Sequence, residues 1–78
     1  MNLNDILSKL QSVSCDVKVR ECCGIYDTIV KVKYGANAKD VGWIYMKEDK
    51  ILLIHIKDET INDIETFVNR ILQLKNEG

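Results

Sequence analysis

Apolar side chains near the start of the chain recur at steps of three and four, at Leu3, Ile6, Leu7, Leu10 and Val13. That period puts them on one stripe, so residues 2–13 read as an amphipathic helix. Asn2 is a good N-cap, and Asp5 at the third helical position sets a carboxylate at the positive end of the helix dipole. From residue 15 the period becomes two. Cys15, Val17 and Val19 face one way and Asp16, Lys18 and Arg20 the other, which predicts a half-buried strand. Cys22-Cys23-Gly24 is the expected turn, because Gly24 can take a positive φ without steric cost. Residues 26–34 predict a second strand, with Thr28, Val30, Val32 and Tyr34 opposed to Asp27, Ile29, Lys31 and Lys33. A polar connection over 35–40 leads to a third strand over 41–46. A tight charged turn at 47–50 then leads to a fourth over 51–56. The fourth is apolar on both faces except at His55, which predicts an interior place in the sheet.

Thr60 reads as the N-cap of a last helix, with Asp63 as the acidic half of a short capping box. Ile61, Ile64, Phe67, Val68, Ile71, Leu72 and Leu74 supply its apolar stripe, and Lys75 suits the negative end of its dipole. The order is thus α-β-β-β-β-α, with connections short enough to imply antiparallel neighbours. It predicts an α+β two-layer sandwich, a four-stranded antiparallel sheet with both helices on one face.

Composition narrows what such a domain can do. The 78 residues form one domain, 1–78, near the lower limit of what folds unaided. At 46% hydrophobic and 29% charged, the chain is too apolar for disorder. Nearly all of its apolar residues are needed for the core, which leaves few to line a deep substrate pocket. The longest apolar run, 51–54, is far short of the roughly 20 residues that span a bilayer. The polar start at Asn2, Asn4 and Asp5 does not resemble a signal peptide, so the expected location is the cytoplasm. Proline, internal repeats and low-complexity tracts are absent.

Catalytic constellations are missing, and the chain is not expected to be an enzyme. The single histidine, His55, sits in an apolar strand, where a hydrogen-bonded structural role is expected over that of a general base. No phosphate-binding, dinucleotide-binding, zinc-protease or nucleophile-elbow motif occurs. The pairs Glu48-Asp49 and Asp58-Glu59 fall in turns or at a helix start, where carboxylates are solvated or capping. Cys15, Cys22 and Cys23 are an odd number and too few for a disulfide scaffold. They read as free thiols, with Cys15 packed as a small hydrophobe. A zinc site completed by His55 is one alternative, against which the Cys15-x6-Cys22-Cys23 spacing fits no common ligand pattern. Redox or intermolecular disulfide chemistry is the other. No cofactor or metal is expected.

Surface charge is more informative. Residues 9–39 carry six basic side chains against three acidic ones, whereas residues 58–65 carry four acids, Asp58, Glu59, Asp63 and Glu65, and no base. With both helices on one face, Lys18, Arg20, Lys31 and Lys33 share the open face. Ile29 joins them, with either Trp43 and Tyr45 or Ile44 and Met46. A basic face with aromatics can neutralise and stack a single strand of nucleic acid. It can also be an ordinary solvated face whose lysines protect a sheet edge. Exposed Trp43 or Tyr45 beside Ile29 would instead mark a contact with a protein partner or with a second copy. The net charge of −1 differs from the clearly basic balance of dedicated nucleic-acid binders.

The opening Met1-Asn2-Leu3-Asn4-Asp5-Ile6-Leu7, followed by Val17-Lys18 at the start of the first strand, resembles a known family. It is that of the small phage-encoded anti-CRISPR inhibitors of type II nucleases from Listeria prophages. The likeness covers about the first third of the chain. It implies a small helix-and-sheet protein in the host cytoplasm that binds a guide-loaded nuclease and blocks its DNA-reading site with acidic side chains. The acidic residues offered here are Asp58, Glu59, Asp63 and Glu65, a choice made on charge and not carried over from the family. The expected function is therefore a non-catalytic protein-binding inhibitor. The alternative is a small homodimeric nucleic-acid-binding or regulatory module that uses the basic sheet face.

Overall fold

A computed structural model describes residues 2–13, 16–21 and 24–77. The three cysteines lie outside these residues. So do the predicted Cys22-Cys23 part of the first turn, the inward position of Cys15 and every metal or redox alternative built on the thiols.

Helix α1 (Leu3–Gln11) starts where the capping residues require. The Asp5 N–H donates to Asn2 Oδ1 at 2.9 Å, and the Asn2 N–H donates back to Asp5 Oδ2 at 3.4 Å, a reciprocal box that satisfies two donors at the helix start. Strands β1 (Asp16–Glu21), β2 (Thr28–Lys33), β3 (Val41–Lys47), β4 (Lys50–Ile56) and β5 (Glu59–Ile61) follow, then helix α2 (Ile64–Glu77). The strands form one antiparallel meander in the order β1-β2-β3-β4-β5.

The fifth strand corrects the expected four. Ile56 pairs with Glu59 across a two-residue turn, Lys57-Asp58, in which Lys57 takes a φ of 52°. Thr60 consequently lies in β5 opposite His55 and does not cap the last helix. That cap is Asp63. Its Oδ1 accepts the Thr66 N–H at 2.7 Å, and its Oδ2 accepts the Thr66 hydroxyl at 2.9 Å. These bonds, the backbone one first, hold the Asp63 carboxylate below its ordinary pKa.

Both helices lie on one face. Ile6 and Leu10 of α1, with Phe67 and Ile71 of α2, are fully buried against Val30, Val32, Ile44, Ile54 and Ile56 of the sheet. Within the α2 stripe, Leu74 is buried and Leu72 is exposed, while Ile61 contributes from β5. Lys75 reaches across to α1, its ammonium donating to the Val13 carbonyl at 2.6 Å.

Which side of β3 meets the helices is fixed at Gly42. A Cβ placed there would lie 2.7 Å from the Cε1 and Cζ atoms of Phe67, so only a residue with no side chain admits the ring. Ile44 and Met46 share the Gly42 side and are buried, so Trp43 and Tyr45 turn outward.

A β-bulge then sets the faces of β4. The hairpin Lys47-Glu48-Asp49-Lys50 turns with positive φ at both Glu48 (52°) and Asp49 (62°), as a type I′ turn needs. Met46 pairs with Ile51, but Tyr45 pairs with Leu53, which leaves Leu52 extra and exposed. One inserted residue reverses the alternation beyond it. Ile54 and Ile56 therefore enter the core, and His55 comes out beside Trp43.

Candidate binding face

The register across the sheet assembles the open face row by row. Lys18 pairs with Lys31, Lys31 with Trp43, Trp43 with His55, and His55 with Thr60. The next row runs Arg20, Ile29, Tyr45, Leu53, and a third runs Asp16, Lys33, Val41. Lys18, Arg20, Lys31 and Lys33 are thus brought together on β1 and β2, and Trp43 and Tyr45 stand next to them on the central strand. Side chains two residues apart on one strand are separated by about 7 Å, and adjacent strands by about 4.8 Å.

Trp43, Tyr45, Ile29, Leu53 and His55 are all half-buried, so an apolar strip runs along the middle of an otherwise polar face. The Lys31 ammonium stands over the Trp43 ring, 5.6 Å from its centroid, a cation–π contact. Tyr26 packs on Tyr45 with ring centroids 4.8 Å apart and planes at 40°. His55 lies half-buried on this face, opposite Trp43. A shallow open groove of about 810 Å3 lies beside it, lined around Trp43 and His55 by cations, Lys31, Lys39 and Lys57, and by carboxylates, Asp40 and Asp58.

Asp27 braces one end of the face. Its Oδ2 accepts the Glu48 N–H at 2.9 Å, its Oδ1 accepts the Thr28 hydroxyl at 3.1 Å, and its own N–H donates to the Met46 carbonyl at 3.0 Å. Chiefly because the Glu48 N–H stabilises the charged form, the Asp27 carboxyl titrates below its ordinary value. Lys47 adds a bond from its ammonium to the Gly24 carbonyl at 3.2 Å, next to a Gly24 φ of 130° that a side chain would rarely adopt. At the other end, the Asp40 carboxylate accepts the Asn37 N–H at 3.2 Å and so shapes the loop at the groove.

The acidic residues do not form one patch. Glu59 accepts from Arg70 Nε at 2.8 Å and ties β5 to α2, while Asp63 is occupied in capping. Asp58 stands in the β4–β5 turn at the groove, and Glu65 lies in the first turn of α2 in the helix layer.

No protein-family model matches the chain, and neither a curated protein nor a solved structure matches it. Among the described residues, no helix is long and apolar enough to cross a membrane.

Proposed function

We propose that this protein is a non-catalytic binding module that acts by laying its open sheet face on a macromolecular partner. The observation that carries this is that Trp43 and Tyr45 on the central strand β3 share one face with Lys31 and Lys33 of the neighbouring β2 and with Lys18 and Arg20 of β1 beyond it. Half-buried aromatic rings inside a charged surround have the composition of an interaction surface, where aromatic residues and arginine supply most of the binding energy. The face is flat and its groove shallow, which suits a large partner better than an enclosed small substrate.

In the form that the N-terminal likeness implies, the partner is a guide-loaded type II nuclease, and binding inhibits it in the cytoplasm of a phage-infected host. The protein then contributes no chemistry of its own and works by occupancy. The dispersed acids favour the sheet face over the 58–65 stretch as the contact, since Glu59 and Asp63 already have structural partners. The test is to mix the protein with a guide-loaded nuclease, then follow size-exclusion co-elution and target cleavage. Co-elution with loss of cleavage, both weakened by Lys31→Ala plus Lys33→Ala, is the expected result. Separate elution with full cleavage rejects the inhibitor.

A further inference from the structure

The basic side of the open face lies next to the half-buried rings of Trp43 and Tyr45. Strands β1 and β2 put four cations on the open face, Lys18, Arg20, Lys31 and Lys33, against one acid, Asp16. The whole chain has 11 basic and 12 acidic residues. Setting these five aside leaves seven basic and eleven acidic ones, so the β1–β2 side of the face carries net +3 and the other residues of the chain, Asp27 and Asp58 at the borders of the face included, carry net −4. The overall charge of −1 hides this polarity.

Within the face, the two kinds of group lie in separate lanes. The cations occupy the β1–β2 side, where Lys18 faces Lys31 across the ladder, Arg20 faces Ile29 and Lys33 faces Asp16. The rings of Trp43 and Tyr45 occupy β3, one lane inward, at the roughly 7 Å repeat of alternate strand residues. Beyond Trp43 the face continues to His55 and the groove, whose edge is of mixed charge, with Lys39 and Lys57 beside Asp40 and Asp58. A polyanion whose flat groups project to one side matches such lanes. A protein partner can cover the same rings and cations, but it has no need of them in separate lanes. A second copy would bring like charges together across the contact, which disfavours it.

Resting on the open face as the binding site, we propose that what this face recognises is single-stranded nucleic acid. Its phosphates run along Lys18, Arg20, Lys31 and Lys33, the Lys31 ammonium leaving the Trp43 ring for a phosphate as one base stacks there and the next stacks on the side of Tyr45 away from Tyr26. Stacking on aromatic rings from a sheet is tolerant of sequence because every base presents a π face. A duplex offers the phosphates but keeps its bases paired, so it meets only the cationic lane. The groove next to Trp43 gives room for a further nucleotide, with Asn37 as a donor and acceptor for a base edge.

The test is fluorescence anisotropy with labelled eight-nucleotide oligothymidine and oligouridine, together with a duplex of the same length, between 50 and 200 mM salt. With up to four phosphates neutralised, the log–log salt slope for a single strand approaches about −2.8, a roughly 50-fold loss over that range. Lys31→Ala plus Lys33→Ala brings the slope to about −1.4. Trp43→Ala costs roughly 5- to 150-fold with either single strand and nothing with the duplex. Trp43→Leu keeps an apolar side chain for folding and gives the same loss, and Lys9→Ala in the helix layer changes nothing. A preference for the uridine or the thymidine strand separates RNA from DNA as the source. Absence of binding to both single strands at 50 mM salt overturns the proposal, as does binding that survives loss of both the ring and the lysines. Co-elution with a guide-loaded nuclease that depends on the same residues, without oligonucleotide binding, also overturns it and assigns the face to a protein surface while the inhibitor reading stands. Oligonucleotide binding without co-elution leaves this proposal standing and rejects the inhibitor.

Discussion

Replacing Gly42 by alanine probes the contact that decides which side of the sheet is covered. In a strand interior, alanine is ordinarily better than glycine by about 0.5–1 kcal/mol, because glycine loses more backbone freedom on folding. Here the added methyl would meet Phe67 Cε1 and Cζ at 2.7 Å. Carbon atoms prefer about 3.5–4.0 Å, so the ring must retreat by about 1 Å. Phe67 is fully buried in the core between α2 and the sheet, and close-packed interiors leave a ring little room to shift. Overpacking of this kind costs about 1–3 kcal/mol, which outweighs the gain in backbone entropy. Gly42→Ala is therefore expected to lower stability by about 0.5–2 kcal/mol net of that gain. For a domain of this size that is about 4–8 °C in Tm per kcal/mol. Urea unfolding followed by circular dichroism reads it as a lower midpoint with an unchanged slope. In a Phe67→Leu background the obstruction is gone, and the same substitution should become neutral or stabilising. A Gly42→Ala protein as stable as its parent would refute the reasoning, because the ring would then not rest on that backbone.

Two further perturbations test parts of the scaffold. Asp27 has its folded-state pKa lowered, so its contribution to stability is complete above the ordinary aspartate value of about 3.9 and is lost as pH falls through the lower folded value. Asp27→Asn keeps an oxygen acceptor for the Glu48 N–H and should flatten the acid limb of the stability curve. An unchanged acid limb, with Asp63 left as the other lowered carboxyl, would count against the brace. The Tyr34 hydroxyl is buried without a hydrogen-bond partner among the described residues, and burial raises its pKa. Since an unpaired buried polar group costs about 1–3 kcal/mol, Tyr34→Phe should hold or raise the unfolding midpoint. A clear drop would mean the hydroxyl is bonded in solution.

Elements with strong local chemistry were legible in the sequence. The Asn2–Asp5 box and the 3.6-residue stripe define α1, and the alternation in β1 and β2 places Lys18, Arg20, Lys31 and Lys33 on one face. Sequence alternation could not choose between the two sides of β3, because Trp43 and Tyr45 are as apolar as Ile44 and Met46. The choice depends on Gly42 meeting Phe67, a contact 25 residues apart in the chain. Strand β5 was hidden for a different reason. Thr60 with Asp63 imitates a capping box, and the Lys57-Asp58 turn contains none of the glycine or asparagine that usually announces a positive φ. The place of His55 was concealed by the bulge at Leu52, since unbroken pairing from the Lys47–Lys50 turn would put Ile54 opposite Trp43. Summed charge was the least informative guide of all, because it averages over two unlike faces.

Trp43 is the only tryptophan in the chain and sits at the centre of the proposed binding face, so its emission reports directly on that face. The most direct test of the account is to titrate partner, either guide-loaded nuclease or single-stranded oligonucleotide, into the protein while recording tryptophan fluorescence. For the nuclease, whose own tryptophans would mask the signal, a difference spectrum against the Trp43→Leu protein isolates the contribution. The expected result is a saturable quench or blue shift that tracks complex formation by an independent measure and weakens in Lys31→Ala plus Lys33→Ala. A partner that binds to saturation while Trp43 emission stays unchanged would contradict it and move the binding site elsewhere on the molecule.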